Sequence, residues 1–178
     1  MLLSRWHRLE SKTLSSVKMK QLVILRHAKS NRAYRVDDIN RPLSSQGMAR
    51  IKKVSQKNID FFTPSDIIIS SPAIRAVHTA IMMIYELNLP LEKLKIDNHL
   101  YTFLALSVID YVYSLDNHWD KVVLVGHNPA FTEVINHFSD AGINHLRTAG
   151  CVQITFDGDQ WSDLRKGEVL LGQKQNNF

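Results

Sequence analysis

Cysteine is almost missing from the 178-residue chain: Cys151 is the only one. No internal disulfide can form and no cysteine-rich zinc site can be built, so a reducing compartment, the cytoplasm, is the expected location. Long apolar runs are lacking as well, and none approaches the roughly 20 residues that a membrane span requires. No HExxH spacing and no cluster of carboxylates occurs, so neither a metal ion nor a cofactor is expected. Repeats and low-complexity tracts are also absent. The composition, 44% hydrophobic and 22% charged, is that of an ordinary globular protein.

Acid is scarce only at the start. Residues 1–20 hold Arg5, Arg8, Lys12, Lys18 and Lys20 against Glu10, whereas the remaining 158 residues carry 17 Lys or Arg and 16 Asp or Glu. The net charge of +5 is therefore mostly a property of the leader. Without a basic stripe interleaved with aromatics in the body, no nucleic-acid partner is expected. The leader is faintly like a transit peptide but lacks the apolar segment of a secretory signal. The preferred reading of residues 1–19 is a disordered extension, or a start assigned early with Met19 as the true one. Residues 20–165 then form one domain, and 166–178 a C-terminal tail. Nothing in the sequence fixes an oligomeric state.

What is present is a pattern repeated three times. Leu22, Val23, Ile24 and Leu25 make a run too short for a helix and apolar enough for a strand buried on both faces, and Arg26 and His27 end it. A second run at 66–69 leads to Ser71, Pro72 and Arg75, and a third at 122–125 leads to Gly126, His127, Asn128 and Pro129. If the strands are parallel, these polar groups converge on one edge of one sheet, where open α/β sheets bind their ligands.

Between the strands, helices are expected from 44 or 45 to 62, from Ser71 as N-cap with Ile74, Val77, Ile81, Ile84 and Leu87 buried, around 108–115, and from Pro129 onward. A short strand is expected at 94–96. A final hairpin is read at 150–156 and 161–164, with Asp157 and Gly158 at its turn. Residues 28–43, rich in Asn and Asp, read as a loop across the mouth of the site. The expected fold class is a three-layer α/β/α sandwich with a mostly parallel central sheet.

The motif set Arg26, His27, Ala28 and Ser30, then Ser71 and Pro72 with Arg75, then Gly126, His127, Asn128 and Pro129, resembles that of the histidine phosphatase superfamily. Asp38, Arg41, Pro42 and Leu43, with Thr148 to Gly150, resemble more narrowly its small SixA-type phosphohistidine phosphatases. A phosphoryl group carries nearly two negative charges, so a transfer site needs several cations and one nucleophile placed beforehand. Arg26 and Arg75 offer planar forks for the nonbridging oxygens, and a neutral imidazole is the candidate nucleophile. Spacing alone leaves open which histidine reacts. The resemblance implies His27, with His127 as donor or cation, Ser30 as a phosphate donor, and Asn128 on the turn or rim of the phosphate site.

It also implies that Asp38, with Asp37 in reserve, is the acid. Larger relatives carry their acid on an insertion after the second arginine, but only 51 residues separate Arg75 from His127 here. Ala33 stands where sugar-phosphate-acting relatives often show Asn. The expected activity is metal-independent hydrolysis of phosphohistidine or another phosphoprotein. The alternatives are a phosphatase for a small phosphorylated metabolite, or a phosphate-binding module without catalysis.

Overall fold

The computed structural model describes residues 18–33 and 35–173. Most of the leader, residues 1–17, and the last five residues lie outside them. Strand β1 spans Met19–Arg26, so the boundary expected at residue 20 falls inside a strand. Lys20 is buried there, its ammonium donating to the carbonyls of Asn117 and Trp119 at 2.7 and 3.0 Å and to Asp120 at 2.7 Å. Buried ammonium groups require such partners.

Strands β2 (Ile67–Ser70), β3 (Leu94–Ile96), β4 (Lys121–Gly126), β5 (Cys151–Asp157) and β6 (Glu168–Leu171) complete a six-stranded sheet in the order β3-β2-β4-β1-β5-β6. The first four in that order are parallel, β5 runs antiparallel to β1, and β6 runs antiparallel to β5. Because side chains alternate across a strand, Leu22 and Ile24 of β1 enter one core while Val23 and Leu25 enter the other. Helices α1 (Ser45–Lys57), α2 (Ile59–Phe62) and α3 (Ile74–Glu86) cover the Val23 face. Helices α4 (Ala105–Tyr113) and α5 (Ala130–Phe138) cover the Leu22 face. This is the expected three-layer α/β/α sandwich. Complete burial of one such aliphatic side chain stabilises the fold by roughly 1.5–3 kcal/mol.

Three local expectations are corrected. The helix expected to run unbroken to Phe62 is split at Asn58, whose amide donates to the Val54 carbonyl and accepts from the Gln173 N–H, in competition with helix bonding. Its start is as read, with Ser44 Oγ accepting from Gly47 N–H. Ser71 does not cap α3, which begins at Ile74 after Ala73. Its buried face is Ala76, Thr79, Ala80, Met83 and Ile84, and Ile81 is exposed; the small residues let α1 pack closely. Finally, Trp161 sits in a single 3-10 turn, fully buried, with its indole N–H on the Trp119 carbonyl. The strand that pairs with β5 is instead β6, inside the segment expected to be a tail.

Candidate active site

Strands β2, β4 and β1 are neighbours in the sheet and point the same way, so their carboxyl ends lie side by side about 4.8 Å apart. Arg26 is the last residue of β1 and His27 follows it. His127 follows β4, and Ser71 follows β2. Arg75 reaches the same place from the first turn of α3. The His27 and His127 rings face each other with centroids 5.1 Å apart.

The hydrogen bonds assign both tautomers. His27 Nδ1 lies 2.8 Å from the Ala28 carbonyl, which can only accept, so Nδ1 carries the proton and Nε2 presents a lone pair. Arg75 Nε donates to that lone pair at 3.3 Å. His127 Nδ1 faces Arg75 Nη2 at 3.3 Å and must accept, leaving its Nε2–H to donate to Ser71 Oγ at 2.8 Å. Burial pulls the His27 imidazolium down to about 4; the hydrogen bond to the Ala28 carbonyl opposes this, and Arg75, Arg26 and Arg41 each add a smaller repulsion. Burial likewise takes His127 down to about 3, helped by His27 and the two arginines. Both rings are neutral at pH 7, so His127 is not a cation in the ligand-free site. Burial also lowers Arg26 and Arg75 from their ordinary value, but guanidinium groups stay charged.

Arg75 is the hub. Besides both imidazoles, it donates to the Asp38 carboxylate at 2.7 Å and to the Asp38 carbonyl at 2.5 Å. Asp38 opens the 3-10 turn Asp38–Asn40, which lies over the site as the 28–43 loop was expected to. Its carboxylate also pairs with Arg41 and accepts from Tyr101 Oη at 3.1 Å. The expected acid is thus in the site, held as the partner of three donors.

Arg26 Nη1 is fixed by His145 Nε2 and the Leu146 carbonyl, each at 2.8 Å, while its buried Nε–H has no partner among the described residues. Ser30 bridges to Leu43 and lines the same cleft of about 690 Å³. Asn128 is turned into the fold: its amide donates to Thr132 Oγ1 and the Leu146 carbonyl at 2.8 and 3.0 Å. His78 is exposed on α3. Among the described residues no three His, Cys, Asp or Glu side chains are placed to share a metal ion.

By sequence, no family model and no curated protein matches the chain. Solved structures do. A protein of Nakamurella multipartitia assigned as a phosphohistidine phosphatase SixA superposes with a TM-score of 0.71 at 20% identity, covering 86% of this chain and 93% of that one. The chain has the histidine phosphatase fold. A SixA protein histidine phosphatase complexed with tungstate gives 0.68 at 19% identity, over 85% of this chain and 94% of that one. A mycobacterial glucosyl-3-phosphoglycerate phosphatase gives 0.60 at 16% identity, over 86% of this chain and 97% of that one. In its histidine phosphatase fold, the residues named from sequence as Arg26, His27, Arg75, His127 and Asp38 are brought together.

Four contributors escaped the sequence reading. Tyr101 and Phe103 pack on His127 with ring centroids at 5.6 and 5.7 Å. They follow β3, a fourth parallel strand ending on the same edge, so topology was the available signal. Thr79, one turn beyond Arg75, accepts from Ala28 N–H at 2.9 Å and donates to the Arg75 carbonyl at 2.6 Å, tying the two motifs. His145 sits in a loop with no periodicity to single it out.

Proposed function

We propose that the protein is a phosphatase that moves a phosphoryl group from its substrate to His27 Nε2 and then to water. The observation that carries this reading is a buried, neutral imidazole whose Nδ1–H is locked on a carbonyl while its Nε2 lone pair faces the guanidinium of Arg75. That is the preparation a nitrogen nucleophile for phosphorus requires.

The incoming dianion takes Arg75 from Asp38 and occupies the unpartnered Nε–H of Arg26. With the oxygens held by Arg26, by Arg75 and by a His127 that takes up a solvent proton at Nδ1 as the dianion enters, and with Ser30 at the cleft wall, the His27 Nε2 lone pair attacks phosphorus in line. The bond to the leaving group breaks, and Asp38, which takes a proton from solvent once Arg75 has left it, passes that proton to the departing atom. Water then attacks phospho-His27, Asp38 takes its proton, and inorganic phosphate leaves with Nε2 regenerated.

The substrate we assign is phosphohistidine, or another phosphorylated residue, carried on a protein. Between Arg75 and His127 the chain is used up by α3, β3, α4 and β4, so this segment contributes no lid domain over the cleft. An imidazole leaving group also needs less acid help than an alkoxide, which suits an Asp38 still paired with Arg41. A phosphatase for a small metabolite is the second reading, favoured by the fold shared with a glucosyl-3-phosphoglycerate phosphatase. Turnover of phosphohistidine protein against a panel of sugar and nucleotide phosphates separates the two.

Brief exposure to a radiolabelled phosphodonor should leave an acid-labile, alkali-stable label on the wild type and none on His27→Ala. Phosphate binding without any label would make the protein a binding module. A label that persists in His27→Ala would remove His27 from the role.

A further inference from the structure

The near neutrality of the body hides a local asymmetry. Residues 21–57 hold nine Lys or Arg against Asp37 and Asp38, while residues 58–178 hold eight against 14 Asp or Glu. Helix α1 has no acidic residue at all. Gln46, Arg50 and Lys53 follow one another at i, i+4 and i+7, and therefore form one exposed stripe along the helix. Neither Arg50 nor Lys53 has an ion pair or hydrogen bond among the described residues. Like charges so spaced cost a helix a few tenths of a kcal/mol each, and none of the described residues pairs with them to offset it.

That stripe is one bank of a groove of about 400 Å³ whose floor is apolar, made by Val54, Ala149 and Cys151. Gln46 lines both this groove and the catalytic cleft, and accepts from Lys29 Nζ at 2.8 Å, so the two adjoin. The floor bears on the candidate nucleophile, since Ala149 N–H reaches the carbonyls of Arg26 and His27 at 3.1 and 3.2 Å. From Gln46 to Lys53 the helix rises about 10 Å, a length that about three extended residues span.

We propose that this groove holds an acidic stretch of the substrate protein, two to five residues from its phosphorylated residue. The proposal rests on the phosphoprotein reading above and narrows it to phosphoresidues flanked by Asp or Glu. Two unpaired cations over an apolar floor complement a carboxylate-bearing peptide. Among the described residues no aromatic side chain lines the groove to stack a base, which disfavours a nucleic acid.

The test compares wild type with Arg50→Glu/Lys53→Glu and with Arg50→Gln/Lys53→Gln. The probes are two phosphohistidine peptides, one with acidic and one with Gln or Ser flanks, and para-nitrophenyl phosphate. Wild type should favour the acidic peptide about tenfold in kcat/KM, through KM, as expected of two surface charge contacts. The glutamine pair should reduce that preference and the glutamate pair abolish or invert it, with para-nitrophenyl phosphate unchanged. Equal use of both peptides by wild type, or a preference surviving in both variants, would overturn the proposal. If wild type turns over none of the three, the phosphatase reading fails, and fluorescence anisotropy of the acidic peptide still decides the groove. Binding weakened about tenfold by charge reversal, and by raising salt from about 0.05 to about 0.3 M, supports it; binding indifferent to both overturns it. Displacement of the peptide by a lower concentration of single-stranded oligonucleotide would give the groove to nucleic acid instead.

Discussion

Acid should loosen this fold before its carboxylates titrate, and His27 should be a main cause. In the unfolded chain its imidazole protonates near 6.5, whereas in the folded protein burial and the neighbouring arginines hold that step down to about 4. Above about pH 6.5 both states are neutral and stability is fully present. As pH falls from there toward 4 the unfolded chain takes up a proton that the folded one refuses, so stability is lost. At 1.36 kcal/mol per pK unit the complete effect is ~3 kcal/mol, a sizeable part of the ~5–15 kcal/mol that holds a typical domain together. His127, lowered further, adds to the slope. The two penalties do not simply sum, because each ring's charge is felt by the other across 5.1 Å.

His27→Asn keeps a donor for the Ala28 carbonyl while removing the titration. Urea unfolding at intervals from about pH 7.5 to about pH 4.5 should show wild type losing ~2–3 kcal/mol more than the variant, with unchanged m. Imidazole nitrogen NMR should show His27 as the Nδ1–H tautomer, neutral down to pH 5. Superimposable stability curves, or a His27 midpoint near 6.5, would refute the reasoning.

Arg75→Ala should cost ~2–4 kcal/mol of transition-state stabilisation, read in kcat/KM, because one preorganised cation is lost; Arg75→Lys should recover little, since a point charge cannot serve two imidazoles and an oxyanion together. Asp38→Asn removes the anion that occupies Arg75, so inorganic phosphate should bind several-fold tighter by calorimetry. In the same variant kcat for a phosphoester should fall about 100-fold or more, and for phosphohistidine less; an unaltered ester rate would withdraw Asp38 as the acid. Gly126→Ala would place a Cβ 2.5 Å from Cζ of the buried Phe131, so a loss of ~1–3 kcal/mol in denaturant unfolding is expected.

The strand ends were legible because three apolar runs stop abruptly at polar residues, and parallel pairing then leaves those residues nowhere else to go. Asp38 was legible only through its spacing to Arg41. Its grip on Arg75 was not, since that contact depends on how a loop folds back over α3. The buried face of α3 was misread because hydropathy favoured Ile81 where the packing selected Ala76 and Ala80. Side-chain size at a helix contact is a pair property, and one sequence window shows only one partner. The exchange of the 161–164 strand for β6 has a similar origin, as Trp161 found a deeper site as a core plug than as a strand residue.

The groups around the cleft hang from three strands at the middle of the sheet and from a helix crossing it, far apart along the polymer. An anion seated among them would act as a rivet through the whole architecture, so occupancy should register as resistance to melting. At a ligand concentration a hundred times its dissociation constant the gain is about 2.7 kcal/mol, or roughly 5–10 °C for a domain of this size. A thermal-shift screen of oxyanions would therefore report on this cleft without any turnover being measured.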